Sequence, residues 1–116
     1  MHWFVAKVVY QIISGNGNHT PQFDEQIRLI SAVTKKDALE KAHQIGIQEQ
    51  YAFKNLQEEL VQWKFINVPE VYDINQLTDG MEVYSRIEEP GDPKSYLAWL
   101  QTKSAQLQDQ PLVEIH

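Results

Sequence analysis

An unbroken alternation of apolar side chains near the start of the chain constrains its fold more than any other feature. The segment W-F-V-A-K-V-V-Y-Q-I-I, residues 3–13, is rich in β-branched and aromatic residues. Its even positions are all apolar: Phe4, Ala6, Val8, Tyr10 and Ile12. Because successive strand residues point to opposite faces, the segment is predicted to be a strand with one face in the core. The odd positions mix apolar and polar residues, so we expect the other face to be partly covered.

A second alternation follows, with its apolar residues at odd positions: Phe23, Ile27, Leu29 and Val33. It predicts a second strand over residues 23–33. If the apolar sides of both strands meet in the core, their register places Ser14 opposite Pro21 and Ile12 opposite Phe23.

The connection between these strands, S-G-N-G-N-H-T-P-Q at residues 14–22, resembles a phosphate-binding loop. Such a loop must open a helix, whereas this one precedes a strand, so a phosphate site is not supported. Gly and Asn favour a hairpin turn. His19 stays a minor candidate for a ligand or metal contact, but its spacing to other candidate ligands supports no metal site.

A helix is predicted from Thr34, because T-K-K-D supplies an N-cap hydroxyl and an acidic residue three positions later. Its apolar stripe is narrow and rich in alanine, so it can lie close on a sheet. Gly46 either ends the helix or is bridged into a further turn. Residues 48–58 are predicted to form the helix end and a loop.

The second half of the chain repeats this order. Residues 61–68 predict a third strand that Pro69 stops or confines to an edge, and residues 81–88 predict a fourth. Asp92 and Pro93 then resemble the N-cap and first residue of a second helix.

The elements together predict a β-β-α-β-β-α order, hence an α+β domain with a mostly antiparallel four-stranded sheet and helices on one face. With 116 residues and 42% hydrophobic content, we expect a single domain over 1–116. The tail from about residue 109 is either flexible or swapped onto a neighbouring copy.

The outward side of the predicted fourth strand carries the best candidate ligand site. Its polar residues recur at every second position and thus share one face: Glu82, Tyr84, Arg86 and Glu88. Together with Trp63, these side chains offer groups that bind a small polar ligand or perform acid–base chemistry. An exposed sheet face with alternating charges explains the same pattern more simply. No motif assigns catalytic residues, a metal or a cofactor.

Composition restricts the partners. Ten basic against sixteen acidic residues give a net charge of -6, which disfavours nucleic acid. The chain has no run of apolar residues long enough to cross a membrane, no signal-peptide pattern and no cysteine, so we expect a cytoplasmic protein. An open sheet has two edges that dimerisation often covers, so the expected partner is a second copy of the chain.

Four blocks resemble a family of short bacterial proteins known as a domain of unknown function. They are W-F-V-A-K-V-V-Y at 3–10, F-D-E-Q-I-R-L-I at 23–30, V-Q-W-K-F-I-N-V at 61–68 and D-G-M-E-V-Y-S-R-I-E at 79–88. The resemblance implies a bacterial source and an independent single-domain protein. It implies no activity, cofactor or site residue.

These observations favour a non-enzymatic binding protein that acts as a homodimer, with a protein or a small polar molecule as partner. One alternative is a small polar-ligand sensor or small enzyme that uses the residues of the predicted fourth strand. Another is an immunity or antitoxin-like inhibitor, which suits the acidic charge but has no motif.

Overall fold

A computed structural model describes residues 1–109, which form four strands and two helices. In chain order they are β1 (His2–Ser14), β2 (Gln22–Ala32), α1 (Lys35–Gln48), β3 (Tyr51–Lys54), β4 (Leu60–Asn75) and α2 (Pro93–Asp109). The strands make one antiparallel sheet in the order β2-β1-β4-β3. The predicted α+β class and the β-β-α-β-β-α order are confirmed.

The chain divides into two compact units. The first, Met1–Tyr84, contains the sheet and α1, and the second begins at Ser85 and contains α2.

The N-cap predicted for α2 is confirmed, because the carboxylate of Asp92 accepts hydrogen bonds from the backbone N–H (3.3 Å) and the hydroxyl (2.7 Å) of Ser95. The prediction of a single domain stays a prediction, and that for the tail concerns residues outside the described ones.

The two later strands do not lie where the sequence pattern predicted them. β3 occupies a segment predicted to be helix end and loop, and β4 continues through Pro69 to Asn75. Within the described part of the chain, residues 81–88 contain no strand, so the fourth strand predicted there is wrong. The physical reason is that a strand needs a hydrogen-bonding neighbour, and in the sheet order β2-β1-β4-β3 residues 81–88 pair with none. The place beside β1 is taken by the extended β4, which pairs with β1 from Trp3 to Ser14.

β4 tolerates its proline because it is irregular there. Its pairing with β1 shifts register at three places, and one shift lies between the pairs Lys7–Glu70 and Val9–Asn67, which flank Pro69. β3 pairs with β4 only as far as Trp63. Pro69 therefore lies in a bulge at a sheet edge, where its missing N–H removes no ladder hydrogen bond to β3.

The core lies between β1 and α1. The even side chains of β1 from Phe4 to Tyr10 are at most 1% exposed. They meet a face of α1 made of Ala38, Ala42 and Gly46, which are spaced four residues apart and buried. Residues at this spacing share one helix face, so their small size lets the backbone of α1 approach the sheet closely.

The closest approach is at Gly46, where the Tyr10 hydroxyl donates a hydrogen bond to the Gly46 carbonyl oxygen over 2.9 Å. A Cβ atom at position 46 would overlap the ring of Phe65, which packs edge-on against Tyr10. Gly46 is thus required by packing, and α1 continues past it to Gln48. Thr34 caps α1 as predicted, because its Oγ1 accepts a hydrogen bond from the Asp37 N–H (3.1 Å).

The register between β1 and β2 differs by one residue from the prediction. Ile12 pairs with Gln22 rather than with Phe23, and Val8 pairs with Gln26. This places the odd side chains of β2 on the sheet face opposite α1, here called the outer face. The expectation that they pack in the core beneath α1 is therefore wrong.

Two features account for the observed register. Even positions of β2 contribute Ile30 and Ala32 to the core beside α1. The hairpin loop is closed by its own histidine, because the Ser14 N–H donates to Nε2 of His19 (3.0 Å). Gly17 adds a turn hydrogen bond to the Ser14 carbonyl oxygen (3.0 Å) at a positive φ of 81°. The loop is a hairpin connection, as predicted, and His19 is a structural part of it.

The substitution Gly46→Ala tests the close contact between α1 and the sheet. We expect it to lower the free energy of unfolding by about 1–3 kcal/mol, because overpacking Phe65 outweighs the better helix propensity of alanine. Urea titration followed by circular dichroism measures this. Gly91→Ala is the matched control, since nothing lies within 4 Å of a Cβ there. An increase in stability for Gly46→Ala would contradict the packing.

The buried hydroxyl of Tyr10 gives a second prediction. Burial raises the pKa of Tyr10 above its ordinary value of 10.0. Because the folded state retains this proton more tightly than the unfolded state, Tyr10 contributes stability below pH 10 that is lost as the pH rises further. Tyr10→Phe should cost about 1–2 kcal/mol at pH 7 by removing a buried hydrogen bond. It should also flatten the fall in stability above pH 10, and an unchanged alkaline profile would contradict this.

Candidate functional site

The most unusual surface of the first unit is the outer side of β2. Its apolar side chains on the outer face are about half exposed: Phe23 at 57%, Ile27 at 46% and Leu29 at 54%. Among the described residues, no strand pairs with the backbone of β2 on the edge away from β1. These three side chains and that edge are here called the β2 surface. It combines unpaired backbone groups with apolar area, the two features that stabilise strand addition.

The two edges of the sheet are protected unequally. β2 has 11 residues, pairs with β1 without a register shift, and contains neither proline nor lysine. The opposite edge consists of the four-residue β3, which contains Lys54, and the part of β4 that contains Pro69 and the bulges. Short strands, lysine, proline and bulges are the usual means of blocking edge-to-edge pairing. The opposite edge has all of them, and β2 has none.

The other side of β2, which faces α1, carries a row of polar residues. The Gln26 amide donates to Asp24 Oδ2 (2.7 Å), and Arg28 donates to Gln26 Oε1 from both Nε (3.1 Å) and Nη2 (2.6 Å). Arg28 also forms an ion pair with Glu49, just after α1. These contacts hold Asp24, Gln26 and Arg28 in a fixed order along the edge strand, with their charges partly exposed.

Trp63, a predicted ligand-binding residue, ends this row. Its indole N–H donates to Asp24 Oδ2 (3.1 Å). Its ring stacks with Tyr51 and Phe53 of β3, with centroid distances of 5.0 and 6.1 Å. Trp63 therefore joins the short hairpin of β3 and β4 to the edge strand β2, a structural role that does not depend on a ligand.

A charged cluster lies on the outer face around Lys7. Its ammonium donates to the Tyr84 hydroxyl (3.3 Å) and lies 3.4 Å from carboxylate oxygens of Glu25 and Glu70. The Tyr84 hydroxyl, followed by these carboxylates, raises the pKa of Lys7 above its ordinary value. Tyr72 completes the cluster, with its ring 6.5 Å from that of Tyr84. The contacts hold residue 84 against the outer face of the sheet.

The other predicted site residues are not grouped by a strand. Glu82 is exposed, and Arg86 forms an ion pair with Glu88 in the second unit. Because residues 81–88 do not form the predicted strand, alternation no longer places their polar side chains on one face. A ligand-binding role for Glu82, Tyr84, Arg86, Glu88 and Trp63 stays a prediction.

Neither a metal centre nor a membrane span is found in the part of the chain that the structure describes. No group of three or more His, Asp or Glu side chains there is arranged to hold a metal ion. Neither α1 nor the described length of α2 has the size and apolar content needed to cross a bilayer.

Comparison with known proteins identifies the family of the chain. Residues 3–85 match the family described as Domain of unknown function (DUF4288). Because the match covers more than half of the 116 residues, the chain belongs to this family. No significant match was found among curated proteins or among solved structures. The family of unknown function that the sequence blocks suggested is confirmed, and it assigns no activity.

The sequence pattern does not identify the β2 surface. The alternation places Phe23, Ile27 and Leu29 on one face of a strand and predicts that this face joins the core, whereas in the structure it is the exposed one. The face that does join the core contributes Ile30 and Ala32. The same face also carries Asp24, Gln26 and Arg28, so its sequence pattern is typical of a solvent-exposed face. Only the pairing with β1 shows which side of β2 is uncovered.

Lys7→Met tests the cluster on the outer face. The variant should be less stable at pH 7, because Glu70 Oε2 is buried without a hydrogen bond and relies on the charge of Lys7. A Lys whose pKa is raised by folding contributes stability below its ordinary pKa of about 10.4 that is lost as the pH rises through the folded value. In thermal unfolding, the difference between the two proteins should therefore stay constant from pH 7 to about pH 10 and begin to narrow only above that pH.

Tyr84→Phe is the matched control for this cluster. It removes the hydroxyl that accepts from Lys7 but keeps the ring, so its melting temperature should fall less than that of Lys7→Met. Equal stability of Lys7→Met and the unchanged protein at pH 7 would show that the cluster contributes nothing.

Proposed function

We propose that this protein acts by binding rather than by catalysis, and that its working form is a homodimer assembled through the β2 surface. The observation that carries the proposal is the unprotected edge of β2 together with its exposed apolar side chains. An 11-residue edge of this kind promotes association unless something covers it.

Apolar area supports the same assembly. Phe23, Ile27 and Leu29 are about half exposed, and a second copy beside β2 removes part of that remaining exposed area from water. Full burial of a side chain of this size contributes about 1.5–3 kcal/mol, so each of the three contributes a fraction of that amount. Apolar burial does not depend on orientation, whereas backbone hydrogen bonds between the paired edges fix the orientation of the two strands. A dimer formed in this way leaves the opposite, protected edge outside the interface.

A bacterial source and a cytoplasmic location belong to the same proposal. The absence of cysteine from the 116 residues suits a reducing compartment. Sequence blocks shared with a family of short bacterial proteins support the source. The partner beyond the second copy is a protein or a small polar molecule.

Light scattering coupled to size-exclusion chromatography tests the dimer. The unchanged protein should elute with twice the 13.5 kDa mass of one chain at micromolar concentration. Ile27→Lys places a charge in the centre of the β2 surface and should weaken dimerisation at least about tenfold, because lysine on an edge opposes strand pairing. A monomeric unchanged protein at micromolar concentration would refute the proposal.

The matched control is Leu56→Lys. Leu56 is 98% exposed in the loop between β3 and β4, so the same kind of substitution there should leave the dimer intact. Circular dichroism establishes that both variants remain folded. Equal weakening by both variants would show that the effect is not specific to the β2 surface.

A further inference from the structure

The residue order of β2 is complementary to itself when the strand is reversed. An antiparallel pair of identical strands is related by a two-fold axis, which passes beside one residue that pairs with its own copy. Each choice of that residue fixes every other pair along the edge. The charges and apolar residues of β2 therefore distinguish between the possible registers.

We propose that two copies join their β2 edges in an antiparallel register centred on Gln26, forming one continuous eight-stranded sheet. This inference rests on the proposed function and specifies its interface. In this register Asp24 lies opposite Arg28 of the second copy, and the two-fold axis repeats that pair. Phe23 lies opposite Leu29 of the second copy, also twice. Residues directly opposite each other share a face, so the charged pairs lie on the α1 side and the apolar pairs on the outer face.

The neighbouring registers are less favourable. Centring on Glu25 pairs that carboxylate with its own copy, and centring on Arg28 pairs two guanidinium groups. Like charges directly opposite each other destabilise a sheet. Centring on Ile27 pairs Asp24 with Ile30, which is 1% exposed in the core, and leaves the carboxylate without a cation opposite it. The Gln26 register is the one of these four in which opposite charges meet.

Within one copy, the side chains that form the charged pairs of this register are already held in place. Asp24 and Arg28 are each held by Gln26, which accepts two hydrogen bonds from Arg28 and donates one to Asp24. Their side chains are therefore oriented before association, which lowers the entropy cost of forming the intermolecular pairs. Glu25 falls opposite Ile27 in this register, and its charge is balanced within the chain by Lys7 at 3.4 Å.

The α1 helices of both copies lie on the same face of the joined sheet, because a two-fold axis perpendicular to the sheet does not exchange its faces. The outer faces also become continuous. The two pairs of Phe23 and Leu29 lie at opposite ends of the junction, roughly 20 Å apart at about 3.3 Å per residue, with Glu25 and Ile27 of both copies between them.

Cysteine crosslinking tests the register, because the natural chain contains no cysteine that could confuse the result. Gln26→Cys should form a disulfide-linked dimer on mild oxidation, since the two Cβ atoms face each other. Ile27→Cys should not, because two copies of residue 27 are offset by two positions, or about 7 Å along the strand. Crosslinking of Ile27→Cys instead of Gln26→Cys would overturn the Gln26 register in favour of its neighbour.

Charge reversal supplies an independent test. Asp24→Lys and Arg28→Glu each place like charges opposite one another at two points, so each variant alone should dimerise roughly tenfold more weakly than the unchanged protein. Mixing the two variants restores opposite charges at both points. The introduced lysine of one chain then faces the introduced glutamate of the other, and the retained Arg28 faces the retained Asp24. A heterodimer in the mixture is therefore expected, measured by mass after one variant is fused to a larger tag.

The mixing step separates intermolecular pairing from damage within a chain. Losses such as the contact of Asp24 with Trp63 or of Arg28 with Glu49 persist in the mixture, so they do not restore association. A dimer in the unchanged protein, with neither crosslinking at Gln26→Cys nor recovery on mixing, would refute this register while the proposed dimer stands. A monomeric unchanged protein would refute both.

Discussion

The contact between α1 and the even face of β1 is the constraint on which the rest of the first unit depends. Ala38, Ala42 and Gly46 present little more than backbone to the sheet, so the helix settles directly over Phe4 to Tyr10. The hydrogen bond from Tyr10 to the Gly46 carbonyl oxygen fixes the height and rotation of the helix. Once α1 occupies that face, every residue on the opposite side of β1 and β2 must find another partner.

Two regions of the outer face solve this problem differently. Around Lys7 the ammonium group is paired with the carboxylates of Glu25 and Glu70, and its contact with the Tyr84 hydroxyl holds residue 84 against the sheet. Along β2 the outer face carries three apolar side chains that are about half exposed, Phe23, Ile27 and Leu29, with Glu25 between the first two. The difference matters because paired charged groups favour contact with water, whereas exposed apolar groups beside an unpaired strand edge favour association. The β3–β4 edge is protected and the β2 edge is not, which also favours association through β2.

Much of the fold was predictable from local pattern. The strand alternation of β1 and β2, the Thr34 and Asp92 caps, the alanine-rich face of α1 and the hairpin loop all follow from side-chain period and capping chemistry, and the structure confirms them. The later strands were less predictable. The alternation at 81–88 is as regular as that of a strand, but nothing in a local pattern states whether a neighbouring edge is available. β3 has no recognisable pattern of its own, because its four residues gain their strand conformation from pairing with β4.

The residue pattern alone defines an acidic, cysteine-free α+β chain of the β-β-α-β-β-α order that belongs to a family of unknown function. The same pattern gives β2 one apolar and one polar side. Which of those sides is covered depends on how the elements pack together. A shift of one residue in strand pairing exchanges the two faces of a strand, and here the register is set by a hairpin loop closed through His19 and by the fit of Ile30 and Ala32 beneath α1. Those contacts join residues from separate elements, so the apolar side of β2 is left uncovered for a reason that its own sequence does not contain.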